Sequence, residues 1–543
     1  MKLRPYQQRV VDSVIAELEN SKSTLVVLPT GGGKTVCFAH LVGHFMKQGR
    51  VMVIAHREEL IRQAASKIEQ IVGYRPAIEM ADEWADEEGF NRPQVVVASV
   101  QTLVTGRVNR FNPEDFALVI TDEAHHCIAQ SYRKVYDHIL RGKTKHLGVT
   151  ATPDRSDEQA LGQVFQTVAF DYELPQIIND GWLVPIRQKL VMVEGLDYSK
   201  VKTTAGDLNQ ADVAKAQANE QILHEMIAPI IDIAGTKKTI VFATPGSKKT
   251  EDGDDDFHIA QRMTEILNRH RPNAARRVSQ DTPKVERRQM LQDFAAGRFQ
   301  FLVNVGVLTE GFDDPTIEVV AITRPTKSRS LYAQMIGRGT RPLPGVVDAW
   351  ETSHERRSAI KGSPKAHIEV LDFVGNSGRH KLVTTADILG GKYNDEVIER
   401  AKKKAEESDE AVDMAEVLEE AKQEIRSERE ANRRRDIIAK AKFRVVNVDP
   451  FDVFDLEPDR EREWNKGQAP TLAQIKSLEK AGIPITAVKS RSQASALLAE
   501  EFRRRDQGLV GFRQIAAGAD KDMTLKDLNR DRFKEWAARF ASA

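Results

Sequence analysis

The chain has 543 residues, and its 80 basic and 80 acidic side chains cancel, so the net charge neither indicates nor excludes a polyanionic partner. This length predicts roughly three or four domains with sizeable cores. Only two cysteines are present, Cys37 and Cys127, which excludes a cysteine-based zinc finger and favours a reducing, cytoplasmic compartment. The first residues lack an apolar signal core and no run reaches the length of a membrane span, so we expect no membrane contact.

The first predicted element is an apolar strand, Leu25–Leu28, which leads through a proline into Thr30-Gly31-Gly32-Gly33-Lys34-Thr35 and then into helix-like apolar spacing. Three consecutive glycines lack Cβ atoms, so their N–H groups can surround an anion at the positive end of the next helix. Lys34 is expected to reach the β- and γ-phosphates of a nucleotide, and the Thr35 hydroxyl to bind Mg²⁺. The pattern predicts a phosphate-binding loop.

Four further apolar runs are predicted to be parallel strands of the same domain, because helix-length segments separate several of them. They lie at Val51–Ala55, Val95–Ala98, Ala117–Thr121 and Leu147–Thr150. Such a doubly wound α/β domain binds ligands at the carboxyl ends of its strands.

Two carboxylates, Asp122 and Glu123, follow the third of these four runs. We expect Asp122 to hold Mg²⁺ through water, and Glu123 to orient or deprotonate an attacking water. The adjacent His125-His126-Cys127 is an alternative metal cluster, but neighbouring residues of a helix do not face one another, which argues against chelation.

These segments, Lys34-Thr35 and Asp122-Glu123-Ala124-His125, resemble motifs I and II of the superfamily 2 DEAD/DEAH-box helicases. The resemblance implies that Gln7, in Leu3-Arg4-Pro5-Tyr6-Gln7, reads adenine through its amide. It also implies roles for two further groups of side chains. Those expected to grip a nucleic-acid backbone are His56, Arg57, Gln101 and Thr102. Those expected to couple the nucleotide site to the strand are His125, Thr150 and Thr152.

A second set of apolar runs predicts a second α/β domain without a phosphate loop of its own, at Thr239–Ala243, Phe301–Val303, Val319–Thr323 and Ile368–Phe373. Thr309-Glu310-Gly311-Phe312-Asp313 resembles motif V of the same family, which implies that Thr309 touches nucleic acid and that Gly311 and Asp313 touch the nucleotide.

The segment Gln334-Met335-Ile336-Gly337-Arg338-Gly339-Thr340-Arg341 resembles motif VI, whose catalytic positions here are Gln334, Arg338 and Arg341. Two arginines three residues apart share a helix face and can point at a γ-phosphate, although a basic surface turn is the simpler alternative. The whole set resembles in particular the bacterial and phage DNA helicases around the RadD group, which neighbour the motor subunits of type III restriction enzymes.

The expected fold is two tandem RecA-like doubly wound parallel-sheet lobes, then a charged helical spacer, then a small, mainly helical domain. Charged residues dominate 395–440, which predicts one long solvated helix, and Thr471 and Ser490 begin predicted helices with capping boxes. The expected bounds are 1–172 for the first lobe, 173–215 for a connector, 216–376 for the second lobe, 377–442 for the spacer and 443–543 for the helical domain.

The sequence therefore predicts an ATP- and Mg²⁺-dependent helicase or translocase. We expect it to act on DNA, as a single strand or forked duplex, with RNA as the alternative. Three alternatives stay open for the helical domain: docking DNA, packing on the motor lobes, or binding a protein partner. Two other readings stay open: the motor subunit of a restriction system, and an ATP-switched remodeller that binds duplex without separating the strands.

Overall fold

The computed structural model describes residues 3–85, 92–151, 161–204, 206–245, 259–308, 312, 314–376, 382–389, 393–408, 412–439, 451, 454, 456 and 468–518. The chain divides into two compact units. The first comprises residues 1–391 and 398–421, and the second comprises residues 392–397 and 422–543.

The first lobe of the first unit is built on seven strands, β1 (Ser23–Val27), β2 (Arg50–Ala55), β3 (Ala77–Glu79), β4 (Val95–Ser99), β5 (Phe116–Asp122), β6 (Lys145–Thr150) and β7 (Thr167–Asp171). They pair in parallel in the order β3-β4-β2-β5-β6-β1-β7. Its helices are α1 (Pro5–Asn20), α2 (Lys34–Phe45), α3 (Glu58–Val72), α4 (Val100–Leu103), α5 (Gln130–Ile139) and α6 (Leu174–Asn179). The five predicted strands are confirmed as β1, β2, β4, β5 and β6.

The central strands form because their side chains are buried on both faces, as the valine-rich runs of β1, β2 and β4 require. Since all seven strands run the same way, their carboxyl ends share one edge of the sheet. The glycine loop follows β1, the segments expected to grip nucleic acid follow β2 and β4, and the paired carboxylates end β5. Among the described residues, the fold thereby collects every predicted site residue of this lobe except Gln7 at one edge.

The second lobe is built on the strands β8 (Ile186–Asp197), β11 (Thr239–Phe242), β12 (Ala275–Val278), β13 (Phe301–Asn304), β14 (Val319–Ile322), β15 (Ile368–Asn376) and β16 (Val412–Asp413). Their order is β12-β13-β11-β14-β15-β8-β16, parallel except for the antiparallel β16, and a separate hairpin joins β9 (Thr203–Thr204) to β10 (Asp207–Leu208). The helices of this part are α7 (Gln210–Gln217), α8 (Glu220–Ala234), α9 (Ile259–His270), α10 (Lys284–Ala295), α11 (Arg329–Gly337), α12 (Ser353–Lys361) and α13 (Thr385–Leu389). The two parallel-dominated sheets confirm the predicted tandem lobes.

The charged region after the second sheet differs from the single solvated helix expected there. It forms α14 (Asp395–Glu406) and α15 (Met414–Ala439), with β16 between them. On α15, Met414, Leu418 and Ala421 are almost completely buried. Their spacing of four and three residues places them on one helix face. A narrow apolar stripe of this otherwise polar segment is therefore buried.

The second unit contains α16 (Leu472–Ala481), α17 (Arg491–Asp506) and α18 (Phe512–Gly518) around a small core that includes Leu478, Leu497 and Phe512. Thr471 forms the predicted capping box with Gln474. Ser490 caps α17 by accepting from the Gln493 backbone N–H, whereas the Gln493 side chain bonds to Lys489 rather than to the cap. This unit is helical, as predicted.

Two glycines of the first lobe give opposite predictions for stability. A Cβ at Gly148 in β6 would lie 2.3 Å from the buried Phe165 ring, so Gly148→Ala should lower the free energy of unfolding by about 1–3 kcal/mol. A Cβ at Gly43 in α2 would meet nothing nearer than Val72 at 3.5 Å, so Gly43→Ala should raise it by about 0.5–1 kcal/mol. Denaturant titration of both variants checks the pair, and equal midpoints would contradict the packing described.

Candidate functional site

The glycine loop between β1 and α2 is a tight turn that only glycine can form. Gly31 and Gly33 have φ of +88° and +83°, and a Cβ at Gly32 would lie 2.9 Å from Leu28 Cγ. The loop is also fixed by its own backbone, since the Gly32 N–H donates to the Pro29 carbonyl oxygen at 2.9 Å. Lys34 and Thr35 consequently begin the first turn of α2, where its positive end faces the loop.

The start of α1 contacts this loop through the side chains of Tyr6 and Gln7. The Tyr6 hydroxyl donates to the Gly32 carbonyl oxygen at 2.8 Å, and Gln7 Nε2 donates to the same oxygen at 3.3 Å. Gln7 Oε1 accepts from the Arg4 backbone N–H at 3.0 Å, which completes a capping box at the start of α1. A Cβ at Gly33 would lie 2.4 Å from Gln7 Nε2, so the glutamine and the loop fit together only without side chains on the loop. Adenine reading by Gln7 stays a prediction.

The paired carboxylates lie directly opposite the loop lysine. Lys34 Nζ is 3.1 Å from Glu123 Oε1, and both side chains are largely buried. Glu123 has a φ of +46°, a left-handed conformation that costs a non-glycine residue about 1 kcal/mol or more. Its backbone N–H donates to Asp122 Oδ1 at 2.9 Å, which helps to hold that turn. The strained turn at the end of β5 thus aims a carboxylate at the glycine loop.

The surroundings of the two carboxylates shift their pKa values in opposite directions. Burial alone would raise the pKa of Glu123, but the Lys34 ammonium outweighs this effect and holds the pKa of Glu123 below its ordinary value. Burial and the charge of Glu123 raise the pKa of Asp122 above its ordinary value. One carboxylate of the pair is therefore held ionised beside a lysine while its neighbour is more easily protonated.

Three histidines pack beside this pair. His125 Nδ1 hydrogen-bonds to Thr150 Oγ1 at 3.0 Å, which joins the end of β5 to the end of β6. The ring of His126 lies 4.1 Å from that of His125 and 4.3 Å from that of His56, centroid to centroid. Burial lowers the pKa of each of the three to about 4, so all are neutral at pH 7. The structure brings the predicted coupling residues His125 and Thr150 together, and Thr152 lies outside the described residues.

The segments predicted to grip nucleic acid are bonded to each other and to the second lobe. Gln101 Nε2 donates to the His56 carbonyl oxygen at 2.9 Å, so the ends of β2 and β4 are joined. Thr102 Oγ1 accepts from the Ala81 backbone N–H at 3.1 Å. Arg57 Nη1 donates to the Gly306 carbonyl oxygen at 3.4 Å across the lobes. These side chains form one continuous edge, and their contact with nucleic acid stays a prediction.

The predicted motif VI lies against the glycine loop. α11 ends at Gly337, where a Cβ would lie 2.6 Å from Thr30 Cβ. A Cβ at Gly31 would lie 3.5 Å from Arg341 Cγ. The second lobe therefore packs directly against the glycine loop of the first lobe, most tightly at Gly337, which leaves no room for a Cβ.

The two arginines of this segment differ in their surroundings. Arg338 Nη1 donates to the Phe312 carbonyl oxygen, within the predicted motif V, while Arg341 is buried beside the loop and near Tyr6. Burial lowers the pKa of Arg341 to about 10, which leaves it charged at pH 7. Gln334 is buried on α11. The remaining predicted motif V positions, Thr309, Gly311 and Asp313, lie outside the described residues.

Lys365 is a site residue that the sequence motifs do not reveal. It is only 2% exposed, and its ammonium nitrogen donates to the carbonyl oxygens of Arg341 and Pro315, each at 2.7 Å. It therefore ties the backbone of Arg341 to the chain that follows motif V. Burial lowers the pKa of Lys365 to about 7, against the opposing effects of the acidic Asp314 and Glu318.

Two family models match the chain. The model described as "Type III restriction enzyme, res subunit" matches residues 1–155, and the model described as "Helicase conserved C-terminal domain" matches residues 219–342. The two matched regions therefore carry the paired helicase domains of superfamily 2. The finer resemblance to the RadD group stays a prediction.

Curated relatives of this chain include proteins named as ATP-dependent helicases and a restriction enzyme subunit. Saccharomyces cerevisiae IRC3, named as an ATP-dependent helicase, is 32% identical over 410 residues, 72% of this chain and 54% of that protein. Schizosaccharomyces pombe irc3, named as a mitochondrial ATP-dependent helicase, is 29% identical over 64% of this chain and 56% of that protein. A type I restriction enzyme endonuclease subunit (EcoAI) of Escherichia coli is 24% identical over 62% of this chain and 44% of that protein. The chain spans about half the length of the curated relatives it matches.

Among the residues that the structure describes, no helix combines the length and apolarity needed to cross a membrane.

Lys365 gives the stability of the chain a testable pH dependence. Above about pH 7 the folded chain holds an uncharged lysine while the unfolded chain still binds the proton, so the free energy of unfolding should rise with pH towards the ordinary lysine pKa. Lys365→Met should reduce that slope by up to about 1.4 kcal/mol per pH unit between pH 7.5 and 9.5. Denaturant titrations across this range measure it, with the exposed Lys361→Met as the control that keeps the wild-type slope. Equal slopes for all three would mean that Lys365 stays protonated.

Proposed function

We propose that this chain is an ATP-driven motor that translocates along nucleic acid and separates strands, with DNA as its preferred track. The observation that carries the proposal is the convergence of three elements at one loop: Lys34 of the first lobe, Glu123 at 3.1 Å from it, and Arg341 of the second lobe beside Gly31. Members of superfamily 2 use two such lobes, and the relatives' names as ATP-dependent helicases support the same activity.

The residues around the glycine loop suit a nucleoside triphosphate with Mg²⁺. Gly31, Gly32 and Gly33 leave no room for side chains, so backbone amides can approach phosphate oxygens, and Lys34 supplies a point charge. The Thr35 hydroxyl and the Asp122 carboxylate are the oxygen donors that would hold the metal. A divalent ion there would supply charge neutralisation on the phosphates and would favour the ionised form of Asp122.

Glu123 is the residue we propose as the base that orients and deprotonates the attacking water. Its carboxylate is held ionised by Lys34, and its left-handed backbone fixes its direction. Hydrolysis places extra negative charge on the γ-phosphoryl oxygens, which a preorganised cation stabilises selectively. Gln334 lies buried on the same helix and is proposed to support this arrangement.

Arg341 is proposed as that cation, rather than Arg338. Arg341 lies against the glycine loop, is buried, and has its backbone fixed by Lys365. Arg338 instead donates to the Phe312 carbonyl oxygen, so we propose that it links motif V to motif VI. Through this link, binding of nucleic acid to the track would affect the nucleotide site.

The nucleic-acid track is proposed to run over the carboxyl edge of the first lobe, at Arg57, Gln101 and Thr102. Such motors hold the strand chiefly through phosphates, so binding should weaken steeply as salt rises.

A second candidate is the motor subunit of a restriction system, favoured by the family model over residues 1–155 and by the Escherichia coli relative. A cytoplasmic location and a protein partner for the helical unit remain predictions.

The proposal is tested by ATP hydrolysis measured without nucleic acid and with single-stranded DNA, duplex DNA or RNA. Wild type should be stimulated most by DNA. Arg341→Ala should lose on the order of 10³–10⁵ in turnover even without nucleic acid, because the transition-state charge loses its cation, while ATP affinity stays nearly intact. Arg338→Ala should retain more basal turnover and lose stimulation.

Arg357→Ala, an exposed arginine of α12, is the matched control and should hydrolyse ATP like wild type. Unchanged basal turnover in Arg341→Ala would remove it from the active site. Wild-type hydrolysis that no nucleic acid stimulates would overturn the motor function itself.

A further inference from the structure

An exposed tryptophan lies beside the edge where the track is proposed to run. Trp84 is 58% exposed, which makes it one of the few large apolar side chains that the described surface presents to solvent. It sits in the loop that follows β3, and the structure describes this loop as far as Ala85. A single exposed apolar residue is ordinary on a protein surface, so its exposure alone indicates nothing. The contacts that hold the ring in place, however, do indicate a role.

Two guanidinium groups stack on the Trp84 ring. Arg107 Cζ lies 3.4 Å from the ring centroid and Arg110 Cζ lies 4.7 Å from it. Arg107 also donates to the carbonyl oxygens of Ala81 and Glu83, at 2.5 and 2.7 Å, while Arg110 donates to that of Ala85 at 3.2 Å. The same two side chains therefore hold both the indole and the backbone that carries it.

A fully buried carboxylate fixes these arginines in turn. Glu79, the last residue of β3, has no exposed surface, forms an ion pair with Arg107, and lies 3.5 Å from Arg110 Nη1. Its Oε2 accepts from the Ala85 backbone N–H at 2.8 Å. A buried acid that is paired and hydrogen-bonded in this way is costly to disrupt, so the support is rigid. The loop presents an aromatic ring that is already ordered before any ligand arrives.

The topology places this ring on the predicted strand-gripping edge. β3 runs parallel to β4, so its carboxyl end lies at the same edge as the ends of β2 and β4. The loop touches that edge directly, because the Ala81 backbone N–H donates to Thr102 Oγ1 at 3.1 Å. On its other side, Arg62 of α3 pairs with Glu83 at 2.9 Å. Trp84 thus extends the edge beyond Gln101 and Thr102, on the side away from the glycine loop.

We propose that Trp84 is a stacking platform for one base of a single-stranded nucleic acid bound along this edge. The inference rests on the proposed nucleic-acid track. Every base has a π face, so a tryptophan can hold a strand with little regard for its sequence, and stacking on an aromatic side chain contributes about 1–3 kcal/mol per base. Phosphate contacts position the strand, and the ring adds an attraction that salt does not screen.

The test compares binding of fluorescent oligo(dT) with binding of an abasic deoxyribose-phosphate strand of the same length. Trp84→Ala should weaken oligo(dT) binding about 10- to 100-fold, with an unchanged salt slope, because a base contact and no phosphate contact is lost. Its affinity for the abasic strand should equal that of wild type. Trp84→Phe, which keeps a ring, should bind oligo(dT) within a few-fold of wild type, and Trp84→Leu should behave like Trp84→Ala.

Trp350→Ala is the matched control, since Trp350 is a 45% exposed tryptophan of the second lobe and should affect neither strand. Equal oligo(dT) affinity in wild type and Trp84→Leu would overturn the platform while leaving the track intact. An equal loss on both strands would also overturn it, because the residue would then act on the backbone contact. Wild type without affinity for either strand would overturn the proposed function and the platform together.

Discussion

The close fit of the second lobe against the glycine loop is the constraint on which the rest of the site depends. A Cβ at Gly337 would lie 2.6 Å from Thr30 Cβ and clash with it, whereas a Cβ at Gly31 would make an ordinary van der Waals contact with Arg341 Cγ at 3.5 Å. Side chains at these positions would hold the lobes apart. Because they are absent, Arg341 of the second lobe lies against the loop that leads into Lys34 and Thr35 of the first lobe. The glycines therefore permit the contact between the two lobes.

Several charged groups are buried at this contact. Lys34 forms an ion pair with Glu123, and Arg341 is buried beside Gly31. Lys365 lies almost fully buried nearby, and the uncharged form that burial favours can still donate to a carbonyl oxygen. The histidines beside Glu123 are neutral, so they fill space and carry hydrogen bonds without competing for its charge. A bound anion would therefore meet cations already positioned for it.

Much of the fold follows from the sequence because buried parallel strands leave continuous apolar runs. Two strands of the first sheet lack that signal: β3 has three residues, and β7 lies at the edge and is only half-buried. β8 extends to 12 residues because it pairs along β15, a strand far away in the sequence. The buried stripe of α15 is masked by its charged neighbours. These features depend on distant partners, which local composition does not reveal.

The same limit applies to the site. The residues of the glycine loop are consecutive in sequence, and so are the two acids of the pair. The chemistry of each segment can therefore be predicted. Tyr6, Lys365 and Trp84 make their contacts with residues that are distant in the chain, and nothing beside Lys365 or Trp84 signals a role. The sequence does not distinguish Arg338 from Arg341, since both lie on one predicted helix face. They differ only in the contacts that the structure shows.

The most direct test of the two-lobe account is the basal ATP hydrolysis of Gly337→Ala at saturating ATP. The added methyl would clash with Thr30, so the account predicts near wild-type nucleotide affinity in the first lobe and turnover reduced on the order of 10²-fold. Gly362→Ala, a second-lobe glycine whose Cβ would meet nothing closer than 3.5 Å, should hydrolyse ATP normally. Wild-type turnover by Gly337→Ala would contradict a shared site between the lobes.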